Sequence, residues 1–263
     1  MRTCVAVVLL LFGGMGIAQV PPDGGPRNQA AYPETEAAAA WRGLAASYVR
    51  KALREQKLDQ DPVLNARVDA VMAAVGAAVA AIEPRFAGSS WRAILIEDFG
   101  RGAAAFPGET VLVDARFVRT LALTDDELAL ILSHEAAHVL AGHASAKLSF
   151  MAEFLGKEKI PTARTALLEF LAKDSYAAVF RPKALLQERE ADTLGAAIFF
   201  GSGYDPQRAL GVFDKLTELE SRASAPAGDA IDSHDAASVR KQAVAAVIAE
   251  LEQLQTRRSP GLR

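Results

Sequence analysis

Between Thr124 and His143 the chain reads TDDELALILSHEAAHVLAGH, and this stretch decides the fold. Thr124 followed three residues later by Glu127 is a capping-box signature, so it predicts a helix over Asp125–Ala146. His134 and His138 lie four positions apart, about 400° of helical rotation, so both imidazoles leave one face roughly 40° apart and one turn from each other. Two nitrogen ligands with that disposition suit a single zinc ion, and Glu135 sits beside them as a base for the attacking water. Two core or solvent-facing histidines in a chance H-E-x-x-H are the competing reading. His143 lies five residues beyond His138, a net rotation of about 140°, and leaves the ligand face if the helix continues. The extended H-E-x-x-H-x-x-G-x-x-H pattern is missing, because its places hold Ala141 and Ala144. His143 is therefore expected to be structural, at the base of the site or near the helix end.

Outward from this helix, the chain suggests a mainly helical α+β domain with a small sheet. Two helices are expected between Glu34 and Ile82, separated near Asp61-Pro62. The apolar segment Val71–Ile82 is short for a membrane span and suits a buried helix face. Trp91–Ile96 and Thr110–Val113 are apolar and β-branched enough for strands, joined by a loop with Gly100, Gly102, Pro107 and Gly108. A further helix is expected over Lys183–Phe200. A turn at Gly201-Ser202-Gly203-Tyr204 follows, with a helix capped by Asp205 and opened by Pro206. The last helix spans Ala236–Gln255. The less patterned stretch Thr165–Phe180 reads as a packed amphipathic helix, with a lid or a docking surface as the other reading.

The 263 residues are 51% hydrophobic and 23% charged, with a formal charge of -3. That balance excludes disorder and a strongly basic nucleic-acid binder, and no Arg/Lys-rich patch with interleaved aromatics is present. Residues 1–18 have a basic start, an apolar run from Val5 to Phe12 and small residues at Gly16 and Ala18, the pattern of a secretory signal peptide. Its removal takes away Cys4, the one cysteine, and with it any thiolate chemistry. Residues 19–33 are rich in Pro and Gly and read as a flexible linker, 34–256 as one domain, and 257–263 as a polar tail. No apolar run of about 18 residues follows the signal, so a membrane span is not expected, while peripheral association with an envelope is compatible.

A third metal ligand is sought downstream, in Glu188-Arg189-Glu190-Ala191-Asp192. Glu188 and Asp192 share a helix face, and Glu190 points elsewhere. One of the two carboxylates can complete a His₂Glu-type site with an open fourth position, while the other orients an imidazole. A solvated charged face is the alternative, but the apolar flanks from Ala184 to Ile198 favour a buried helix, in which carboxylates need partners.

At these residues the sequence resembles peptidase family M48, the gluzincin group that also holds HtpX, BepA and the CAAX prenyl proteases. The resemblance rests on His134-Glu135-Ala136-Ala137-His138, on Glu188 through Asp192, on Gly203-Tyr204-Asp205-Pro206, and on Ser233-His234 with Arg240 six residues later. It implies a zincin-like metallopeptidase with one Zn²⁺ ion held by His134, His138 and Glu188, and with Asp192 behind the ligands. It also implies His234 and Arg240 as active-site groups beside the catalytic Glu135, with His234 on a mobile loop. Two departures stand out: Asp235 replaces the family's usual proline after the histidine, and Ala104-Ala105-Phe106-Pro107-Gly108-Glu109 replaces the usual Asn-Ala-Phe and Pro-Gly-Gly. The strand at 104–106 resembles the family's substrate-binding edge, to which an extended polypeptide adds by main-chain hydrogen bonds. The expectation is a zinc metalloendopeptidase acting on exported or misfolded proteins in envelope quality control, with a periplasmic location. A chaperone-like module that holds unfolded polypeptide, its zinc structural or rarely active, is the second reading.

Overall fold

The computed structural model describes residues 30–222 and 235–258. The expected signal peptide, most of the expected linker, His234 and residues 259–263 lie outside the described residues. Residues 31 and 32, read from sequence as the end of the linker, are packed: Ala31 N–H donates to Ser149 Oγ, and Tyr32 is buried with its hydroxyl donating to Ile160 O. Arg257 and Arg258, read as the start of the tail, continue the last helix.

The fold is mainly helical α+β and zincin-like. Helix α1 (Glu34–Arg54) carries Glu34 and Glu36 in its first turn and Lys51 and Arg54 in its last, charges that complement its dipole. Helix α2 (Pro62–Ile82) begins where Asp61 accepts from the Val63 and Leu64 N–H groups and Pro62 needs no partner. A 3₁₀ turn at Pro84–Phe86 leads to strands β1 (Arg92–Ile96), β2 (Ala103–Phe106) and β3 (Thr110–Asp114). β3 is central, parallel to β1 and antiparallel to β2, so β2 is an edge. Side-chain alternation splits the sheet between two clusters. Leu95, Val111 and Val113 join the main core with α2, while Ile96, Phe106 and Leu112 face α1.

Asp114 caps the short helix α3 (Ala115–Thr120). Helix α4 (Asp125–Leu140) opens with the expected capping box at Thr124 and Glu127. It ends six residues earlier than the sequence suggests, because Gly142 takes a left-handed conformation (φ 74°) and the chain restarts as α5 (His143–Leu155). Arg85 closes that end by donating from Nη2 to Leu140 O at 2.6 Å. Helix α6 (Ala163–Ala172) follows, and α7 runs from Asp174 to Ser202. The expected helix at Lys183–Phe200 is thus only part of α7, which continues through Pro182. Helices α8 (Pro206–Ala209), α9 (Gly211–Arg222) and α10 (Ala237–Arg258) complete the described chain.

Helix α2 holds the apolar segment expected to be short. It is 21 residues long and, by length and composition, apolar enough to cross a membrane. Nine of its residues are buried, including Val68, Val71, Met72, Val75 and Val79, and it packs against α4, α7 and β1. Its apolar character is therefore used in the core, where α2, α4 and α7 form the scaffold of the site.

Candidate metal centre

Helices α4 and α7 approach closely because position 195 is glycine. A Cβ there would stand 2.8 Å from the His134 Cα and 3.0 Å from its N. No sequence pattern marked Gly195, since close approach of two backbones is a property of the packed pair. The contact brings Glu188, about two turns before Gly195 and across the interface, to the two histidines.

The Nε2 atoms of His134 and His138 are 3.1 Å apart. Glu188 Oε2 lies 3.2 Å from the first and 3.6 Å from the second. Among the described residues these three side chains form a group whose donor atoms all fall within 4.8 Å of one another. Donors placed about 2.0–2.2 Å from one tetrahedral ion stand about 3.3–3.6 Å apart, so the observed spacing fits a two-nitrogen, one-oxygen site. The donor set and its separation both suit zinc.

Each histidine is also held from behind. His134 Nδ1 is 3.0 Å from Asp192 Oδ1, and Asp192 is gripped by both arms of Arg240, at 2.9 Å from Nε and 2.7 Å from Nη2. This fixes the tautomer in which His134 Nε2 faces the other donors. Asp192 thus occupies the supporting place, and Arg240 engages that carboxylate. On the other histidine, His138 Nδ1 is 2.8 Å from His143 Nδ1, and His143 Nε2 is 3.2 Å from Glu190 Oε2. His143 is buried at the base of the site, since the break at Gly142 turns its ring back toward α4. Glu190 was read from sequence only as pointing elsewhere; its partner lies 47 residues away in α5.

Glu135 stands at the sheet edge, its Oε2 accepting the Ala105 N–H at 2.8 Å. Because Asp114 N–H donates to Gly102 O across β2 and β3, alternation turns the main-chain groups of Ala103 and Ala105 toward the open edge. A cavity of about 600 Å³ adjoins this edge, lined by apolar side chains of α4, α9 and α10, among them Ile131, Phe213 and Val244, and by His134, Glu135 and Arg240.

Charge at the site is finely set. Burial disfavours the His134 imidazolium, but its hydrogen bonds to Asp192 and Glu188 outweigh that, and its pKa is pushed up to about 9. Burial instead dominates at His138 and lowers its pKa. Burial works against the Asp192 carboxylate, yet His134 and Arg240 hold its pKa below the usual range. His234 lies outside the described residues. Its neighbour Asp235, in the place of the family's proline, is paired with Arg189 of α7 at 2.7 Å.

A helix bearing H-E-x-x-H, a carboxylate delivered by a second helix, and a sheet edge bonded to the intervening glutamate together define a metallopeptidase architecture. The chain belongs to Peptidase family M48, whose model matches residues 62–248. It is similar to the mitochondrial metalloendopeptidase OMA1 of Arabidopsis thaliana, with 25% identity over 163 residues, 60% of this chain and 32% of the relative. It is also similar to the mitochondrial metalloendopeptidase OMA1 of Saccharomyces cerevisiae, with 26% identity over 139 residues, 51% of this chain and 39% of the relative. The chain therefore spans only about a third of the length of these relatives.

Proposed function

We propose that the protein is a zinc-dependent endopeptidase that cleaves extended segments of exported or misfolded proteins. The convergence of His134, His138 and Glu188 beside a glutamate bonded to an open sheet edge carries this reading. When bound, zinc supplies Lewis-acid polarisation of the scissile carbonyl and lowers the pKa of water to about 7. The edge groups of Ala103 and Ala105 orient an extended polypeptide by strand addition. Glu135, aimed by the Ala105 N–H, takes a proton from the attacking water and passes it to the leaving amine. Asp192 and Arg240 keep His134 in the required tautomer, and Arg240 and His234 are the candidates for stabilising developing negative charge. Export to a periplasm rests on the signal pattern of residues 1–18, and processing after Ala18 would place Gln19 at the mature N-terminus.

Glu135→Gln tests the reading. The variant should keep its zinc and lose about 10²–10⁴-fold in cleavage of an unfolded protein substrate. Digestion at the unaltered rate would remove Glu135 from the mechanism. Bound zinc with no chelator-sensitive cleavage by the unaltered protein would favour the polypeptide-holding function instead.

A further inference from the structure

We infer that His143 and Glu190 are positioning residues for the second metal ligand, forming with His138 a hydrogen-bonded chain that fixes its tautomer. The inference rests on the zinc reading above and concerns residues that the family motifs leave without a role. The atoms joined are what point to this role. His143 touches Nδ1 of His138, the nitrogen opposite the one that faces His134 and Glu188. If His138 offers Nε2 to a metal, its proton sits on Nδ1, so Nδ1–H donates and His143 Nδ1 accepts. The His143 proton then resides on Nε2, where Glu190 Oε2 accepts it at 3.2 Å. In this tautomeric order, with His138 Nε2 left to the metal, every donor in the chain meets an acceptor.

The arrangement is the counterpart of the Asp192–Arg240 pair behind His134, with a different anchor. Asp192 is a buried carboxylate reached directly by its histidine, whereas the Glu190 side chain is 40% exposed and acts through an intervening ring that is 6% exposed. A buried imidazole needs both nitrogens satisfied, and this one satisfies them with a ligand histidine on one side and a carboxylate on the other. The left-handed turn at Gly142 makes this geometry available, because an uninterrupted helix would carry position 143 off the ligand face.

The experiment measures zinc dissociation by chelator competition on the full chain, together with the absorption spectrum of the Co²⁺-substituted protein. It compares the unaltered protein with His143→Leu, His143→Asn and Glu190→Ala. His143→Leu should weaken zinc binding about 10–100-fold and alter the cobalt spectrum, as expected when support of a ligand is lost. His143→Asn, which retains an acceptor near the position of Nδ1, should recover most of both. Glu190→Ala should shift both in the same direction by less. Unaltered affinity and spectrum in His143→Leu and Glu190→Ala would overturn the inference. So would a loss in His143→Leu that His143→Asn fails to recover, since that marks packing alone. If His143→Leu does not fold, the partly exposed Glu190 decides the matter, for or against. An unaltered protein that binds no zinc would instead overturn the metal reading, and this inference with it.

Discussion

The two halves of α7 differ sharply although they form one helix. Beyond Pro182, the stretch from Ala191 to Phe200 is buried almost without interruption, and it carries Asp192 and Gly195 against α4. Before Pro182, only Phe180 is buried, while Val179 remains 47% exposed. That first half is held by ring contacts, Phe180 with Phe150 at 5.1 Å and with Phe170 at 6.0 Å, and Tyr176 with Phe154 at 6.0 Å. One half is thus a wall of the main core, and the other an annex of α5 and α6. Metal chemistry demands side chains fixed to a fraction of an ångström, and Glu188, the donor that α7 supplies, stands in the half of the helix that leads into the core.

Substitutions across the proline should expose this contrast. Glu188→Ala removes a donor and should abolish stoichiometric zinc binding and proteolysis, checked by metal analysis after dialysis. Gly195→Ala forces a methyl group against the His134 backbone and should cost about 1–3 kcal/mol in urea unfolding while weakening zinc binding. An intermediate effect should come from pH. In the metal-free protein the His134 pKa is about 9, against 6.5 for an unperturbed group, so the folded state binds more protons between these values. The stability this contributes is complete below about pH 6.5 and is lost as pH rises to about 9. Zinc requires the neutral ring, so its affinity should rise over the same window. Urea midpoints at pH 6.5 and 8.5, with and without chelator, check both signs. Val179→Ser in the first half should change stability by no more than about 0.5 kcal/mol and leave zinc affinity unchanged. A large loss of zinc there would erase the distinction between the halves.

Much of α4 was legible because its signals are local. The Thr124–Glu127 box and the four-residue histidine spacing lie within one short segment, as do Asp61-Pro62 and Asp205-Pro206 at other helix starts. What escaped depends on contacts distant in sequence. Pro182 removes a helical N–H and normally marks a boundary, but α7 passes through it with Phe180 packed against rings from two other helices. Gly142 ends α4 by adopting a left-handed conformation that the sequence alone permits without requiring. β2 is mostly alanine, a weak strand former, so sequence alone read it as part of the loop between the other two strands, and only family resemblance marked 104–106 as an edge strand. At the site, the histidine spacing and the shared face of Glu188 and Asp192 were visible, but the partners of Arg240 and Glu190 were not. Those pairs join residues 48 and 47 positions apart.

The pairing of Arg240 with Asp192 also bears on how the protein is made. The histidines belong to α4, their carboxylate arrives 50 residues after His138, and the arginine that secures the arrangement belongs to α10, the last helix among the described residues. During synthesis the ribosome releases these parts in that order, so an unfinished chain holds the two histidines and Glu135 without the carboxylate and arginine that complete their surroundings. The support behind His134 is thereby left incomplete until α10 has docked.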